Sequence, residues 1–140
     1  MHLLALKEDE AYKVLYKDHV TKDLFSLCYS GAIKFELHGF ARKYSRTSWN
    51  YATEESRARG YGLLIYKDFR AADNDRMIDF DHFIVFKVSV HNIFKPTVPK
   101  MYMDRESKSH ITAYKLWPSG SLMCDGLRII EGMLPLHCYR

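Results

Sequence analysis

Apolar and polar positions alternate most clearly in two parts of the chain. Ile33, Phe35 and Leu37 alternate with Lys34, Glu36 and His38, the period of two expected of a strand with one buried side. Ile84, Phe86, Val88 and Val90 mark one face of a second such stretch over 83–90, and 62–66 is a continuous β-prone run. Both are expected as central strands. Residues 8–17 place Ala11, Val14 and Leu15 at helical spacing behind Glu8, Asp9 and Glu10, which predicts a short amphipathic helix. Thr21 stands as the N-cap of a second helix over 22–29, with Leu24, Leu27 and Cys28 on one face and Gly31 at its end.

The remaining segments are shorter. Residues 2–6 read as a strand, 41–61 as a long loop or partly paired strand, and 68–81 as an acidic loop. Pro96 and Pro99 mark another loop, because proline cannot continue a central strand. A strand over 110–117 ends in a turn at Pro118, Ser119 and Gly120, followed by short strands near 121–123 and 127–131. Residues 133–139 are too short to assign. Early helices followed by many strands, joined by connections too brief for crossover helices, predict an α+β fold. The expected form is a mostly antiparallel curved sheet or small β-barrel with two short N-terminal helices, a flat two-layer sandwich being the alternative.

The 140 residues suit one domain, 1–140, and 47% hydrophobic residues are enough to build its core. The net charge of +4 leans toward anionic partners without naming one. Cys28, Cys124 and Cys138 lack the spacing of a zinc or redox motif, so reduced thiols, a cytoplasmic location and no metal or cofactor are expected. The charged run at 7–10 interrupts the apolar start before a signal peptide could form. No run of eighteen apolar residues occurs, and a membrane partner is not expected.

Candidate chemistry concentrates in residues 31–61. Arg42, Lys43, Arg46, Arg57 and Arg59 interleave with Phe40, Tyr44, Trp49, Tyr51 and Tyr61. Cations neutralise phosphates while aromatic faces stack on bases, so nucleic acid or a nucleotide is the expected partner. Lys34 and Glu36 extend this surface along the expected strand, and a steep loss of affinity with salt should follow. A protein partner for a non-catalytic chain is a further reading.

The segment from Ser30 to His38, with the later Gly60-Tyr61-Gly62-Leu63, resembles the ASCH domains of the PUA-like superfamily. There a helix runs into a Gly, followed by a Lys two residues on, a Glu five residues on and then an Arg. Gly31 and Glu36 match, whereas Ile33 takes the Lys place, Lys34 comes one residue late and His38 replaces the Arg. The resemblance implies a small barrel binding RNA or a nucleotide, and in some members hydrolysis of a modified nucleoside.

Two His-x-Thr triplets give an enzymatic alternative: His19-Val20-Thr21 and His110-Ile111-Thr112. On a strand, residues two apart point the same way, so each triplet could present an imidazole with a hydroxyl. This looks like the 2H phosphoesterase pattern, in which the paired histidines act as general acid and base on a cyclic phosphate or 2′-5′ linkage.

Overall fold

The computed structural model describes residues 5–26, 43–75, 83–97, 101–103, 110–112, 120–134 and 138. Its strands are β1 (Glu10–Lys17), β2 (Leu24–Ser26), β3 (Lys43–Tyr44), β4 (Asn50–Tyr51), β5 (Leu63–Tyr66), β6 (Phe83–Phe94), β7 (Met101–Met103), β8 (His110–Thr112) and β9 (Ser121–Gly132). Two short helices, α1 (Glu54–Ala58) and α2 (Phe69–Asp75), complete the described elements. β1 pairs with β5, β5 with β9, β9 with β6 and β6 with β1, all antiparallel, which closes a four-stranded barrel. The order β3-β2-β1-β5-β9-β4 extends this ring at both ends, and β7 with β8 forms a separate two-stranded sheet.

The β-rich barrel agrees with the expected small barrel, but the N-terminal helices do not occur. Residues 10–17 are strand β1, and every side chain from Ala11 to Leu15 is buried. Ala11 and Leu15 enter the barrel core with Leu63, Ile65, Phe86, Val88, Val90, Cys124 and Leu127. Tyr12 and Val14 face a second cluster, formed by Leu64, Tyr66, Val85 and Met133 with Phe69 and Ala72 of α2. A strand buried on both faces loses its alternation, and the apolar spacing of Ala11, Val14 and Leu15 then imitates a helix. Lys13 strengthens the disguise: it is only 3% exposed among the inward side chains, with its ammonium 5.7 Å from the centre of the Tyr44 ring.

The expected second helix is replaced by a hairpin. Asp18 Oδ1 accepts from the amides of Val20 and Thr21, at 2.8 and 2.9 Å, and Lys22 adopts a left-handed φ of 63°. Lys17 then faces Leu24 across the turn. Thr21 therefore organises a tight turn, its Oγ1 accepting from the Asp23 amide at 3.2 Å, and caps no helix.

Strands β5 and β6 are central, as the pattern predicts, and the two short strands expected near 121–131 are one continuous strand, β9. The acidic loop is helical over Phe69–Asp75, because Phe69 and Ala72, three residues apart, both pack beneath it. Tyr12 meets Phe69 edge to face at 5.1 Å. Of the strand expected at 110–117, residues 110–112 form β8 and the rest lie outside the described residues, as do the strand expected over 32–38 and residues 2–4 of the leading strand, whose residues 5 and 6 are not in a strand. No described helix is long and apolar enough to cross a membrane.

Two buried acids should make the fold sensitive to alkali. Burial pushes the Tyr66 hydroxyl from 10.0 to about 12, opposed by a hydrogen bond with Ser121. Burial likewise pushes the Cys124 thiol from 9.0 to about 12; Lys13 opposes the shift and Asp125 adds to it. Both groups fold in the neutral form, so their contribution is complete below the unfolded values and is lost as pH rises toward 12. Urea midpoints are expected to fall progressively from about pH 9 upward, and Cys124→Ala should remove the earliest part of that decline.

Candidate nucleic-acid interface

A change of face within β6 builds the site. Phe86, Val88 and Val90 alternate into the barrel, yet Ile93 packs against the same core. Val90 and Ile93 are three positions apart, an odd step, so the alternation breaks between them. It breaks at Asn92, whose φ of 53° is left-handed, leaving His91 and Asn92 exposed side by side. β9 makes the matching change, with Cys124 and Leu127 both inward and Asp125 and Gly126 between them. Asn92 Nδ2 donates to Asp125 Oδ2 at 2.5 Å across this kink.

Tyr51, Gly126 and His91 form one row across β4, β9 and β6. The middle position requires glycine: a Cβ there would lie 2.7 Å from Tyr51 Cδ1 and 2.8 Å from Cε1. The Tyr51 ring lies over the bare backbone and leans toward His91, with 51% of the residue exposed. Trp49 completes the surface. Its ring stacks on His91 with centroids 3.7 Å apart and planes 15° apart. Tyr51 is nearly equidistant from both, at 6.3 Å from Trp49 and 6.4 Å from His91, and within 24° of parallel to each. It therefore lies beside the Trp49–His91 pair, and the three rings make a stepped, near-parallel platform. Arg128, exposed on the same face of β9, holds its guanidinium 5.6 Å from the Trp49 ring centre.

Asn50 fixes the loop that carries Trp49. It is buried, its Oδ1 accepts from the Ser45 amide at 2.7 Å, and its Nδ2 donates to the carbonyls of Ser45 and Ser48 at 3.0 and 3.1 Å. Ser45 Oγ accepts from the amides of Thr47 and Ser48, closing the loop. α1 braces the far side of the row. Thr53 caps it by accepting from the Ser56 amide at 3.1 Å, and Gly60, at φ 90°, ends it. Arg57 donates to Asp125 and places its guanidinium 4.2 Å from the Phe94 ring centre.

Of the residues expected to bind nucleic acid, Trp49 is in the platform. Lys34, Glu36 and Arg42 lie outside the described residues. The other cations are already engaged: Lys43 pairs with Asp23 at 3.2 Å and Arg59 with Glu55 at 2.9 Å. Arg46 donates to the Lys22 carbonyl at 2.6 Å, and Arg57 is the brace just described. The expected aromatic Tyr44 is buried in the core. Asn50, His91, Asn92, Asp125, Gly126 and Arg128 are not among the residues expected from the sequence. A glycine within the apolar run 122–130 is the signal that marks a close approach there.

The first His-x-Thr triplet departs from the expected geometry. His19, Val20 and Thr21 occupy the β1–β2 turn, so the side-by-side presentation expected of a strand fails for the first triplet. His110 and Thr112 lie on β8, in the separate two-stranded sheet. No family model matches the chain, and neither a curated protein nor a solved structure matches it.

Replacing Asn50 by Ala removes four hydrogen-bonding contacts from a buried position and should destabilise the fold by about 2 kcal/mol. In a Trp117→Phe background, the Trp49 emission of Asn50→Ala should shift to the red as the indole leaves His91. A blue or unchanged maximum would show that the loop stands without its asparagine.

Proposed function

We propose that this chain binds single-stranded nucleic acid by stacking bases on the Trp49, Tyr51 and His91 platform. The near-parallel arrangement of these rings, all within 24° of one another, carries the reading. A cage for a quaternary ammonium needs rings that converge around the cation, whereas parallel exposed rings suit a flat ligand. The bases of a duplex are already stacked on each other, so a single strand is the form that can occupy the step. The resemblance of residues 30–38 to RNA-binding ASCH domains points the same way.

The charge pattern modifies the expected mode of binding. Lys43, Arg57 and Arg59 each face a carboxylate that offsets their charge and Arg46 is bonded to the Lys22 carbonyl, while Arg128 has no carboxylate partner among the described residues. Stacking therefore outweighs phosphate neutralisation, and the steep salt dependence expected from the basic run gives way to a shallow one.

Each of Trp49→Ala and Tyr51→Ala should weaken binding of a labelled oligouridylate by about 1–3 kcal/mol, several-fold to roughly a hundredfold in Kd. The plot of log Kd against log salt should have a slope of about one, the release expected for one or two phosphates. Gly126→Val, which drives Tyr51 off its seat while leaving all three rings in the chain, should weaken binding like Tyr51→Ala. If the parent protein fails to bind, or the ring variants bind as it does, the proposal is wrong.

A further inference from the structure

His91 differs from the other two platform rings in being able to take up a proton. Its ring lies face to face with Trp49 at 3.7 Å, and the residue is exposed. A protonated imidazole in that position gains attraction from the indole face and presents a positive charge at the step where a base would stack. Resting on the nucleic-acid reading above, we infer that His91 is the charge-bearing residue of the platform and that binding a single strand is coupled to its protonation.

Charged groups of both signs stand on the elements beside His91. β9 contributes Arg128 and Asp125, and α1 contributes Arg57, which is bonded to Asp125. Along β6, Asn92 and Ser89 are neutral, and Lys87 is paired with Glu131 at 3.8 Å. Lys7, Glu8 and Asp9 line an open depression with Val90, Asn92 and Ile93. Incoming phosphates add negative charge beside the ring and so favour the imidazolium. By linkage, a ligand that favours the protonated form binds more tightly as pH falls, until His91 is protonated before binding.

The test uses a tetramethylrhodamine-labelled oligouridylate of about ten nucleotides without terminal phosphate, so that neither its bases nor its backbone titrates in the working range. Anisotropy titrations from about pH 8 down to about pH 5.5, with circular dichroism confirming the fold at each pH, give Kd against pH. The parent protein should tighten by roughly 3- to 10-fold over that span, with a slope not exceeding one proton. His91→Phe keeps a flat ring that cannot be protonated, and its Kd should be constant with pH. Binding by the parent with a flat Kd, or an equal pH dependence in His91→Phe, overturns the inference and leaves the stacking reading intact. Absence of binding at every pH overturns the stacking reading itself, and this inference with it.

Discussion

Strand β6 is paired along both edges, to β1 through Glu10↔Ser89 to Tyr16↔Phe83 and to β9 through Gly132↔Phe86 to Met123↔Phe94. Without that double pairing the strands form an open ribbon, and neither the Ala11–Leu15 side of β1 nor the inward side of β9 has anything to pack against. The two ladders overlap only over Phe86 to Ser89. Beyond Val90, whose amide donates to the Asp9 carbonyl at 2.8 Å, β6 pairs with β9 alone, and there it has room to change face at Asn92. Closure of the barrel and display of the aromatic step are thus consequences of one long strand serving two partners at offset heights.

The parts of this architecture that the sequence displays are those with one ordinary environment. β5 and β6 have apolar β-prone residues and no competing signal, so both are visible. β1 is hidden because it is buried on both faces and carries Lys13 inward, which removes the polar alternation that marks a strand. α1 is legible in hindsight from Thr53, the two acids of its first turn and Gly60, a start and stop signal masked by the surrounding basic run. α2 is obscured because its acidic exterior outweighs the two apolar positions that hold it down.

The site divides in the same way. Aromatic residues among cations mark the segment that contributes two of the three platform rings, Trp49 and Tyr51. Charge alone misleads, because an arginine's worth to a ligand depends on what else it touches. Arg57 is spent on Asp125 and Phe94, while Arg128, isolated in the sequence from any basic cluster, stands beside Trp49. His91 comes from a strand some forty residues away, and no local pattern could join it to Trp49. That pairing depends on the register of β6, β9 and β4, which emerges only with the closed barrel.

The outermost strands of the larger sheet, β3 and β4, are two residues long, and the loop closed around Asn50 links them directly. Exposed strand edges are templates on which other chains add and from which aggregates grow. By ending the larger sheet in two stubs and tying them to each other, the described residues leave little of that sheet's backbone for such growth. The loop that supports the indole thereby also guards the colloidal behaviour of the protein, so variants that loosen it put solubility at risk along with the ring platform.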